Sequence, residues 1–152
     1  MIQQHEFDFT PNVVEELKKC GWYPGRNVSQ SINLPPEFEL FPDAQRILGE
    51  FCYLKCGEKG PGEECAKSTI ELDPMLAYGE YDRFEKFEKI LNRKLYPLGE
   101  AENRYYFLAV DDTGRIFLVM DDLLFVDISF DKALNRFFRG LKKKIVDSDG
   151  SW

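Results

Sequence analysis

The chain is poor in the groups that most enzymes depend on. Among 152 residues it holds one histidine, His5. That residue lies in an N-terminal stretch expected to be mobile, a poor place for a base that must be held against its substrate. Ser-His-Asp and Cys-His arrangements are therefore excluded as anchored machinery. No His-Glu-x-x-His occurs, and no Gly-x-x-x-x-Gly-Lys-Ser/Thr phosphate loop. Long hydrophobic runs are missing too. The longest, such as Tyr105 to Val110, fall far short of the ~20 residues that span a bilayer. Residues Met1 to Thr10 carry Glu6 and Asp8 in place of a basic and then apolar leader. A cytoplasmic chain without membrane contact is the expectation. Cations are in deficit as well: 20 Lys and Arg against 27 Asp and Glu leave a formal charge of -7. Such a chain is repelled by nucleic-acid phosphates and drawn to basic proteins.

Cysteine is scarce, at four residues: Cys20, Cys52, Cys56 and Cys65. A reducing compartment favours free thiols. Cys52 and Cys56 are spaced too widely for a zinc knuckle, and no fourth ligand is evident. The expectation is free thiols, with no metal and no cofactor.

What is present suits a packed core. Hydrophobic residues make up 43% of the chain, and 13 residues are Phe. A chain of this size buries roughly 70% of its unfolded surface. Pro11 to Cys20 reads as a helix, with Thr10 at its N-cap and Gly21 beyond its end. A second helix begins near Pro42, where Phe41, Ala44, Ile47, Leu48 and Phe51 recur at helical spacing. A third covers Tyr81 to Asn92. Tyr53 to Cys56 and Ser68 to Leu72 are short strand candidates, separated by a Gly- and Glu-rich loop from Gly57 to Glu64. Four strands follow: Leu95 to Leu98, Arg104 to Val110, Arg115 to Met120 and Leu123 to Ile128. A last helix starts after Ser129. The sum is an α+β fold, an antiparallel meander flanked by about four helices in one layered domain over residues 1–152. Its ends, 1–9 and 147–152, are expected to be mobile. Tyr105 to Val110 and Ile116 to Met120 are apolar on both faces of their strands. Either helices cover both faces, or part of one face receives a partner.

Paired carboxylates at Asp111-Asp112 and Asp121-Asp122 raise the question of acid chemistry. The strand between them should hold the pairs roughly 20 Å apart at ~3.3 Å per residue, and glycosidase carboxyls sit about 5 to 9.5 Å apart. The pairs are turn formers or, alternatively, an acidic binding patch. The Arg136 to Lys144 cluster suits the C-terminal end of a helix better than a nucleic acid.

Several short stretches then occur in order. They are Gly21-Trp22-Tyr23-Pro24-Gly25-Arg26, Phe41-Pro42-Asp43-Ala44, Leu48-Gly49-Glu50-Phe51, Asp73-Pro74 and Leu95-Tyr96-Pro97-Leu98-Gly99-Glu100. Asp112-Thr113-Gly114-Arg115-Ile116-Phe117 and Ser129-Phe130-Asp131-Lys132-Ala133-Leu134 complete the set. Together, from Gly21 to Gly140, they resemble the third group of the SUKH immunity-protein superfamily. The pattern departs at Cys52-Tyr53, where small residues are expected. The resemblance implies a non-catalytic bacterial immunity protein that neutralises a cognate polymorphic or contact-dependent toxin, with nuclease toxins common among the targets. An alternative is a regulatory scaffold for a housekeeping protein, as in the related yeast regulators of cell-wall synthesis. The expected partner is a protein, and the chain itself a monomer or weak homodimer. Asp111, Asp112, Asp121 and Asp122 are the candidate contacts, with Trp22, Tyr23 and Arg26 as candidate anchors; for Trp22, core packing is the preferred reading.

Overall fold

Residues 7 to 152 are described by the structure, a computed structural model. His5 and part of the N-terminal stretch expected to be mobile lie outside the described residues.

Proline and polar starts set the helices where the sequence places them. Helix α1 spans Pro11–Lys19, α2 Pro42–Phe51, α3 Tyr81–Leu91 and α4 Phe130–Arg139. Proline occupies the first turn of α1 and α2, where its missing N–H has no intrahelical acceptor to lose. Asn92 and Gly140 end α3 and α4 in left-handed conformation.

The strands are β1 (Lys55–Cys56), β2 (Ile70–Glu71), β3 (Leu95–Ala101), β4 (Tyr106–Asp111), β5 (Ile116–Val119), β6 (Leu123–Asp127) and β7 (Lys144–Ile145). They form one sheet in chain order, every neighbouring pair antiparallel. β7 was not expected: its two residues lie in the basic run, and Ile145 alone gives no alternation. In β3 the pairing slips between Pro97 and Gly99. The proline thus sits at an irregularity, where its missing donor costs little.

Register assigns the faces. Phe107, Ala109, Phe117, Val119 and Phe125 share one, and Leu108, Val110, Ile116 and Leu118 the other. All of these are buried, so the meander is covered on both sides. On the first face Phe84 of α3 meets Phe107 at 5.7 Å between ring centroids. Trp152 stacks on Phe125 at 4.5 Å and lies edge-on to Phe117, with the Arg115 guanidinium 5.2 Å from its indole ring. α2 packs against β3 and β4, and α4 against β6. Those two helices meet through Phe51 and Phe130, centroids 5.0 Å apart.

Two close approaches depend on glycine. A Cβ on Gly99 would lie 1.8 Å from the Glu71 carbonyl oxygen of the neighbouring strand. At the end of α4, Cβ atoms on Gly62 or Gly140 would each lie 2.3 Å from the Cys65 carbonyl oxygen. That closeness lets the Gly57–Glu64 loop dock. The N–H of Glu63 donates to the Arg139 carbonyl and those of Glu64 and Cys65 to the Gly140 carbonyl, supplying donors that a helix terminus lacks. Arg139 also grips the Glu63 carboxylate through two bonds of 2.6 and 2.7 Å.

The cysteines correct an expectation. Cys20 and Cys56 form a disulfide, joining the end of α1 to the edge strand β1, while Cys52 and Cys65 are free. The pairing partners are 36 residues apart, so the fold, not the local spacing, brings them together. Cys52 is fully buried, and burial pushes its thiol up to about 12, with Asp73 adding to the effect. It is a packing group.

Candidate functional site

The four aspartates stand at opposite ends of β5, Asp111 closing β4 and Asp112 following it, Asp121 and Asp122 in the β5–β6 turn. Asp111 is fully buried. Its Oδ1 accepts from the Thr113 N–H, the Thr113 hydroxyl and the Arg115 N–H, and its Oδ2 accepts from Arg115 Nε at 2.7 Å. Its carboxylate is committed to the turn and offers no surface to a partner. Asp112 is exposed and lies 3.7 Å from Arg93. Asp121, with a side chain 98% exposed, meets Arg83 at 3.0 Å. Asp122 is exposed beside it.

Trp22 and Arg26 meet the C-terminal end of α2. Trp22 Nε1 donates to Glu50 at 2.9 Å, and its ring stacks on Phe51. Arg26 donates to the carbonyl oxygens of Glu50 and Cys52 at 2.6 and 2.8 Å. Both side chains are half-buried and hold the following loop onto α2, so they act as struts. Tyr23 is exposed at 58%.

Sequence reading missed the neighbouring surface. Tyr53 follows α2 with φ +72°, a left-handed conformation unusual for a bulky side chain. Its N–H donates to the Leu72 carbonyl; its hydroxyl donates to the Ser31 carbonyl and accepts from the Asn33 N–H at 3.0 Å. Three residues after Leu34, Glu37 accepts from the Gly79 N–H, while its other carboxylate oxygen is buried without a partner. Leu34, Tyr53 and Tyr78 stand 41%, 42% and 60% exposed along this ring of contacts. The departure at Cys52-Tyr53 was the one signal in the sequence that pointed here.

An open groove of about 320 Å³ lies at the β1–β2–β3 edge, lined by Lys55, Glu71, Glu100 and Arg104 among others. Glu100 lies directly across from Glu71 in the register. Burial, and then Glu71, raise its carboxyl above the ordinary range. Glu71 is already paired with Lys55 and Arg104. The adjoining β3–β4 turn runs through Glu102, Asn103 and Arg104 in left-handed conformation, with φ of +52°, +58° and +74°. The groove holds no nucleophile beside a base. Among the described residues no three His, Cys, Asp or Glu side chains converge as a metal site, and no helix is long and apolar enough to cross a membrane.

Comparison with known proteins gives one match. The family model described as SUKH-3 immunity protein covers residues 9–140. No curated protein and no solved structure matches the chain.

Proposed function

The chain belongs to the SUKH-3 immunity protein family, and from that premise we propose that it protects a bacterial cell by binding one cognate toxin and blocking it, one molecule against one, without catalysis. The family match over residues 9–140 carries this reading. The target we infer is a nuclease-type toxin domain of a polymorphic or contact-dependent system. Nucleases hold phosphates in basic clefts, and a partner of charge -7 gains electrostatic steering toward such a cleft. The site of action is the cytoplasm, where the toxin reaches its substrate. A reducing cytoplasm opens disulfides, so protection must stand with Cys20 and Cys56 as thiols. The chain acts as a monomer or weak homodimer.

Co-expression with the toxin encoded beside it tests the reading. Growth is restored and the two proteins co-purify. Toxicity unchanged against every adjacent toxin, with no complex formed, would discard the proposal.

A further inference from the structure

Charge on this molecule is unevenly placed. Residues 27–45 and 68–82 contain seven of the 27 acids and no lysine or arginine, leaving 20 acids against 20 cations in the rest of the chain. The whole formal charge of -7 therefore belongs to two segments. They meet in space. Tyr53 binds the first through Ser31 and Asn33 and the second through Leu72, and Glu37 binds Gly79. These bonds close a circuit from Tyr53 through residues 31–37 to Gly79, back along the 3-10 turn Pro74–Ala77 to Leu72, and so to Tyr53. Leu34, Tyr53 and Tyr78 stand exposed on it.

Some of the acids are already neutralised. Asp43 pairs with Arg46, Glu71 with Lys55 and Arg104, and Glu80 with Arg83. Glu37, Glu39, Asp73 and Asp82 make no ion pair among the described residues. Exposed aromatic groups on segments that also carry the exposed, unpaired acids Glu39 and Asp82 suit a protein partner that brings arginine or lysine flanked by apolar side chains. Aromatic residues dominate the energetics of such contacts, and rim charges set orientation and rate. The circuit is held by hydrogen bonds, and Tyr53 is fixed in a conformation that its side chain disfavours, so the face is shaped before any partner arrives.

We propose that this face, centred on Leu34, Tyr53 and Tyr78, is the surface that receives the toxin, and that the toxin meets it with a basic, cation-rich segment. The proposal rests on the neutralisation reading for the partner's identity, while the preference for cations is a property of the face alone.

Fluorescein-labelled nona-arginine, titrated into the full chain at low salt, probes it by anisotropy and by amide NMR shifts. The largest shifts fall at Leu34, Tyr53 and Tyr78. Glu39→Gln with Asp82→Asn, two exposed positions without ion pairs, weakens binding about fivefold, the effect of two exposed pairs. Glu15→Gln with Glu58→Gln, away from the face, changes it less than twofold. Equal losses in the two double variants, or shifts centred elsewhere, would overturn the proposal. In cells, Tyr78→Asp removes protection while leaving the thermal midpoint in place, since the side chain is exposed. A wild-type chain that protects and a Tyr78→Asp chain that protects equally rule out the face but keep the function. A chain that protects against nothing, yet binds nona-arginine at these residues, loses the function and keeps the cation-binding face.

Discussion

The meander from Leu95 to Asp127 and the segment from Gly21 to Phe41 achieve order by different means. In the meander, β4 and β5 are apolar on both faces, and backbone ladders satisfy every strand in chain order. Its stability is spread over many equivalent contacts. The segment from Gly21 to Phe41 has one 3-10 turn, Ser29–Ser31, as its only regular element. It is held by single bonds from distant residues: Arg26 to Glu50 and Cys52, Val28 to Gly49, and the Tyr53 hydroxyl to Ser31 and Asn33. The sheet is therefore robust to the loss of one contact but not to a break in its register, whereas the segment should open locally when one strut goes.

Gly99→Ala should have the largest effect, because a backbone oxygen 1.8 Å from the new Cβ cannot be accommodated without moving β2 or β3. We expect loss of about 4 kcal/mol or more, or no folded protein, by urea denaturation. A loss under 1 kcal/mol would show that the sheet edge yields as easily as the loop.

Cys20→Ser with Cys56→Ser, or a thiol reductant on the wild type, should cost about 4 kcal/mol for a closed loop of 36 residues. That corresponds to roughly 8 to 16 °C in the thermal midpoint for a domain of this size. The bond ties α1 to β1, so the loss is global. An unchanged midpoint on reduction would mean that packing alone fixes that corner.

Arg26→Ala should cost less, about 2 kcal/mol, the penalty for leaving two carbonyl oxygens unpaired. Its signature is local: amide exchange rises at Tyr53 and Gly79 and stays fixed in β4 and β5. Uniform acceleration across the sheet would erase the contrast between the two regions.

Local pattern explains what could be read in advance. Pro11 and Pro42 mark the starts of α1 and α2, and apolar spacing at Phe84, Phe87, Leu134 and Phe137 marks buried helix faces. Short apolar runs on either side of the Asp111–Gly114 turn revealed the central hairpin. Long-range geometry was hidden. Nothing near Cys20 announces Cys56, and no neighbour of Tyr53 announces Ser31 or Leu72. Asp111 illustrates the limit at the candidate site: a turn aspartate and a surface aspartate have the same sequence signature, and only burial separates them. Arg26 similarly reads as a contact residue until its guanidinium is seen bound to backbone carbonyls.

The two tryptophans fall one on each side of this divide. Trp22 hydrogen-bonds Glu50 beside the Arg26 strut, while Trp152 stacks on Phe125 and meets the Arg115 guanidinium on the sheet. With no third indole in the chain, each reports on its own territory. Replacing either with phenylalanine turns the remaining one into an intrinsic optical label for the acidic shoulder or for the strand layer.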